Sequence, residues 1–139
     1  MEKIELKFSA QESCSHISIV VVMTLDEKGK NYTTGYYDRF MNEPLENADE
    51  LPPLPKHILD AFTENAINKI LSKDEIPNES DMIVKNGYMI PDEFNIKLDG
   101  CWYEITITKG NMRKIYYADE TNIQTYPLLR HLADWCRRL

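Results

Sequence analysis

Residues 94–117 read FNIKLDGCWYEITITKGNMRKIYY, three runs of alternating apolar side chains separated by two turn signals, a pattern that points to antiparallel sheet. Asp99-Gly100 is a hairpin dipeptide. Closing the chain there pairs Leu98 with Cys101, Ile96 with Tyr103 and Phe94 with Ile105, so that one face is wholly apolar, while the other pairs Lys97 with Trp102 and Asn95 with Glu104. The second turn allows two registers. A two-residue loop at Gly110-Asn111 sets Ile105 against Tyr116 and turns Lys114 inward, opposite Ile107. A three-residue loop, Lys109-Gly110-Asn111, sets Ile105 against Ile115 and Tyr103 against Tyr117, with Lys114 outside and Asn111 in the left-handed position. The three-residue loop is the expected one, because it keeps the charge out of the core. In either register Cys101, Tyr103, Ile105 and Ile107 should be more buried than Glu104, Thr106 and Thr108.

Towards the amino terminus the same period recurs. Ile4, Leu6 and Phe8 alternate with charged residues and predict a strand over about 2–8, and Ile17, Ile19, Val21, Met23 and Leu25 predict a central strand. After a turn at 26–30, the Tyr- and Thr-rich residues 31–38 predict a third. The prolines and acids of residues 43–55, EPLENADELPPLP, break both patterns and mark a surface loop. Ile58, Leu59, Phe62, Ala66, Ile70 and Leu71 then repeat at helical spacing and predict one helix over about 55–72. An acidic loop at 74–81 leads to a strand or hairpin at 82–90, broken by Asn86-Gly87. Thr125 and Pro127 open a final helix with an apolar stripe from Leu128 to Leu139. The expectation is one α+β domain over 1–139, mainly antiparallel sheet built from two βββα-like halves, with two amphipathic helices packed on the sheet.

The composition bounds the function. Of a net charge of -7, residues 43–99 carry thirteen acids against five bases, and residues 100–139 four acids against six bases. An acidic middle without a basic run argues against nucleic acid as a partner. The longest apolar stretch, Ile19 to Met23, is too short to span a bilayer, and the first residues lack the layout of a signal peptide, so no membrane role is expected. Three widely spaced cysteines, Cys14, Cys101 and Cys136, suit reduced thiols in the cytoplasm better than a disulfide framework.

Few motifs carry chemistry. His57-x-x-Asp60 and His131-x-x-Asp134 each place an imidazole and a carboxylate on one helical face; the plain role of such a pair is a local ion pair, and a metal site requires the two to converge. Cys14-Ser15-His16 reads as a polar loop, and Pro52-Pro53-Leu54-Pro55 as a stiffened one. No phosphate loop, paired CxxC, HExxH or GxSxG is present. Trp102 falls on the outer sheet face, where a large ring needs cover or a partner. The expected function is therefore an acidic protein-binding module, one form being an inhibitor or immunity-type protein acting on a basic partner, with contacts from Trp102, Glu46, Asp49, Glu50, Tyr36 and Tyr116 and no cofactor or metal. A homo-oligomer using a sheet face or edge is a variant of this reading. The alternative is a small hydrolase or metal-dependent enzyme using His57 or His131 with nearby carboxylates.

Overall fold

Alternation does set the first three strands. β1 (Ile4–Glu12), β2 (Ile17–Asp26) and β3 (Gly29–Asp38) run as an antiparallel meander in a computed structural model that describes residues 1–12, 15–45, 50–72, 82–85, 88–91 and 101–139. A two-residue strand, β4 (Glu43–Pro44), adds to Tyr37 and Asp38 inside the segment expected to be all loop. After two helices, β5 (Met82–Lys85) and β6 (Tyr88–Pro91) form a separate antiparallel pair, in line with the hairpin option for that stretch. β7 (Cys101–Lys109) and β8 (Met112–Ala118) complete a six-stranded sheet in the order β4-β3-β2-β1-β7-β8. The fold is α+β and the sheet antiparallel. Among the described residues the second half contributes β7 and β8 to it, and residues 94–98, where a further strand of that half is expected, lie outside them.

Two register expectations are corrected here. Phe94–Leu98 lies outside the described residues, but both edges of β7 are taken: Tyr103 and Ile105 pair with Ala10 and Phe8 of β1 on one side and with Ala118 and Tyr116 of β8 on the other. Pairing of the same two residues with Ile96 and Phe94 has no edge left to use. The β7–β8 turn is the two-residue loop at Gly110-Asn111, with Lys109 opposite Met112 and Ile107 opposite Lys114. Gly110, at φ 58°, takes the left-handed position that had been given to Asn111. Lys114 is tolerated on the inner face because β8 is an edge strand, where a half-buried lysine keeps its ammonium near water. The facing of β7 is as expected for Tyr103, Ile105 and Ile107, which are buried beside half-buried Glu104, Thr106 and Thr108; Cys101 is only half-buried.

The predicted helix over 55–72 is two: α1 (Lys56–Ala61) and α2 (Glu64–Leu71). Phe62 and Thr63 between them are extended, and the Thr63 hydroxyl accepts from the Ala66 N–H at 3.1 Å to cap α2. The break re-aims the chain. At ~100° per residue an unbroken helix turns Ile67 about 180° away from Ile58, whereas both are fully buried, as is Phe62. Lys30 Nζ donates to the Leu59 carbonyl at 2.7 Å, and Lys109 Nζ to Asn68 Oδ1 at 2.7 Å, which fastens these helices over the sheet end where β1 begins. A 3₁₀ turn (Asn122–Thr125) leads into α3 (Pro127–Arg137), with Pro127 in its first turn. α3 buries Leu128, Leu129, Leu132, Ala133, Trp135 and Cys136 in the same core as Leu6, Phe8, Met23 and Ile105.

Candidate functional site

The turn from β3 to β4, residues 39–42, combines order with apolar exposure. Asp38 begins it, its carboxylate accepting from the backbone N–H groups of Phe40 (2.9 Å) and Met41 (3.2 Å). Asn42 closes it at φ 55°, a conformation asparagine adopts more readily than most residues, and its Oδ1 accepts from the Tyr37 hydroxyl at 2.8 Å. Arg39 ties the turn to the sheet: its N–H donates to the His16 carbonyl at 2.7 Å, and its Nη1 to Gln11 Oε1 at 2.8 Å. Phe40 and Met41 project from this base and remain 80% and 66% exposed. The Phe40 ring lies nearly parallel to the His16 imidazole, with centroids 5.1 Å apart, and His16 Nε2 is 3.8 Å from the Asp38 carboxylate. An apolar pair thus projects into water from a hydrogen-bonded turn, with Asp38 and exposed Glu43 paired directly behind it.

Beside the turn the sheet has an edge that is open among the described residues. β4 pairs only with Tyr37 and Asp38, and Leu45 N–H reaches the Tyr36 carbonyl at 3.1 Å. Among the described residues no strand pairs with the remainder of that edge of β3.

The residues expected to bind a partner are scattered. Trp102 is on the outer face, opposite Gln11, but is 6% exposed, with its ring 6.5 Å from that of Tyr117. Tyr116 belongs to the core at 2% exposure, because the two-residue turn moves it to the inner face opposite Ile105. As placed, neither ring offers a partner much area. Tyr36 is half-buried on the inner face, and Glu50 is exposed. Glu46 and Asp49 lie outside the described residues, as does Cys14. The sequence reading missed Phe40 and Met41; the available signal was an apolar pair inside a turn bounded by Asp38 and by Asn42-Glu43-Pro44.

The two His-x-x-Asp pairs do approach one another. The His57 and His131 rings meet edge to face across α1 and α3, with centroids 4.9 Å apart. Burial lowers the pKa of His131, and the neighbouring His57 and Arg130 charges lower it further, against a smaller opposite pull from Asp134. Asp134 is engaged by Arg137. Among the described residues no group of three or more His, Cys, Asp or Glu side chains is arranged to hold a metal ion, and no helix is long and apolar enough to cross a membrane. Comparison of the chain with protein-family models, with curated proteins and with solved structures returned no match.

Proposed function

We propose that this domain is a cytoplasmic protein-binding module that docks a basic partner through the Phe40–Met41 turn and the adjoining open edge of β3, an inhibitor or immunity-type protein being its concrete form. The observation that carries this reading is the exposure of two large apolar side chains on a turn braced by Asp38, Asn42, Arg39 and His16. A pre-positioned aromatic anchor loses little conformational freedom on binding, and such anchors dominate interface energetics. The charge of -7 supports a basic partner, since acids around the anchor speed encounter with a cation-rich surface.

The test is to place a photo-crosslinking side chain at position 40, identify the protein it captures, and measure association of the purified pair. Saturable binding is expected, with an off-rate raised roughly tenfold or more by Phe40→Ala and an on-rate that falls with salt. Capture that spreads over abundant proteins, or binding unchanged by Phe40→Ala, overturns the reading. Pairing of two copies along the β3 edge is the homo-oligomeric variant, and sedimentation of the purified chain distinguishes it from a one-to-one complex with another protein.

The enzyme alternative draws support from the 4.9 Å approach of His57 to His131. It is weakened by the absence, among the described residues, of a third ligating group beside the pair.

A further inference from the structure

At the end of the inner face opposite α1 and α2, the sheet and the carboxyl end of α3 form a half-open cavity of about 310 Å³. Its floor is apolar, made by Ala10, Ile17 and Ile19, and Tyr36, Cys101, Tyr103, Cys136 and Arg137 complete most of its wall. Tyr103 is 1% exposed, and its hydroxyl has no hydrogen-bond partner among the described residues. A buried phenol left this way costs free energy, and an acceptor that reaches it from the cavity, with a small shift of the side chains covering it, removes that cost. Burial, then Cys101, and to a smaller extent Glu120 and Cys136 hold the phenol above its usual pKa, while Arg137 pulls the other way, so it is a neutral donor with the Arg137 guanidinium in the same lining.

The thiols do not make this a reactive centre. Cys101 and Cys136 are not joined in a disulfide, and burial pushes the Cys136 thiol up to about 12, so it remains protonated and poorly nucleophilic. They serve as soft apolar wall. Among the described lining residues the charged side chain is Arg137, which is exposed and donates to Asp134 through Nη2.

We infer that this cavity is a binding site for a compact, mainly apolar carboxylate, whose body lies on Ala10, Ile17 and Ile19 and whose carboxylate accepts from the Tyr103 hydroxyl and faces Arg137. The volume stands near the lower bound of ligand pockets, about 300–1,000 Å³, which favours short branched or single-ring acids over long acyl chains. The inference goes beyond the protein-binding reading and does not depend on it.

Phenylacetate, 4-methylpentanoate and dodecanoate are the acid probes, and phenylacetamide the uncharged control, followed by amide shifts of the isotope-labelled full chain. Saturable shifts on the residues lining the cavity are expected for the two short acids, and slower alkylation of Cys101 in their presence. Tyr103→Phe removes only the hydroxyl and keeps the ring, so the fold is retained and binding weakens roughly tenfold or more. Arg137→Gln weakens the acids but not the amide. No saturable shift at millimolar acid, shifts centred elsewhere, or equal binding by wild type and Tyr103→Phe overturns the proposal.

Discussion

The two ends of the inner sheet face are built from the same alternation yet meet different fates. Where β1 begins, Ile4, Leu6, Met23 and Ile107 are fully buried, and Lys30 and Lys109 fasten the lid helices above them. Where β1 ends, Ala10, Ile17, Ile19 and Cys101 are only half-buried and front a cavity. An apolar side chain on the inward side of a strand is therefore an offer of burial, and the element packed above decides whether it is taken up.

The largest test of this difference is a pair of truncations. Phe8→Ala, at a fully buried site, should cost about 3–5 kcal/mol, and Ile19→Ala, beside the cavity, about 1–2 kcal/mol. Urea unfolding of both variants measures the gap. Equal losses would mean that the two ends are packed alike.

Gly110 comes next, because it lies at the sealed end, where its N–H donates to the Lys3 carbonyl at 3.4 Å. Gly110→Ala should cost about 1–2 kcal/mol through the left-handed backbone alone. The added Cβ meets only the end of the Glu2 side chain, which can move aside. Adding Glu2→Ala should therefore restore little, and full recovery would show that the clash and not φ sets the cost.

The seam between α1 and α3 should respond to pH. His131 binds its proton less readily when folded, chiefly because of burial and then because of His57. Its contribution is fully present above the unfolded value of ~6.5 and is lost as pH falls through the lowered folded value. Melting temperature between pH 8 and pH 5 should fall more steeply for the wild type than for His131→Gln. Parallel slopes would place the acid sensitivity elsewhere.

The smallest effect is expected for Asp134→Asn. Its ion pair with Arg137 is formed by side chains 43% and 36% exposed, and such pairs contribute about 0–1 kcal/mol. Thermal melting should hardly change, while short acids should bind the cavity no more weakly once Arg137 is released. A large loss of stability would assign that end of α3 a structural role instead.

Much of this was legible from residue order. The meander β1–β3, the buried face of β7, the hairpin at β5–β6 and the start of α3 at Pro127 all follow local rules: period-two alternation, turn dipeptides and a proline in the first helical turn. The failures share a cause. Lys114 was excluded from the inner face as though β8 were central, and Ile67 was left off a helix assumed to be continuous. The tolerance of an edge and the value of a break depend on neighbours that periodicity does not contain. Trp102 and Tyr116, expected as contacts, are 6% and 2% exposed, whereas Phe40 and Met41 stand exposed in a turn with no period to mark them.

The sequence by itself determined the main strands β1, β2, β3 and β7 and the final helix, the sign and location of the charge, and the inward residues of β1, β2 and β7, since each depends on side chains within a few positions of one another. Only the tertiary structure decided that β1 lies beside β7, that two distant His-x-x-Asp pairs meet, and that Tyr103, its hydroxyl without a partner among the described residues, lines a cavity. The physical reason is that strand edges present the same backbone groups to any partner. The choice among partners falls to the packing above and below the sheet, which draws on residues from the whole chain.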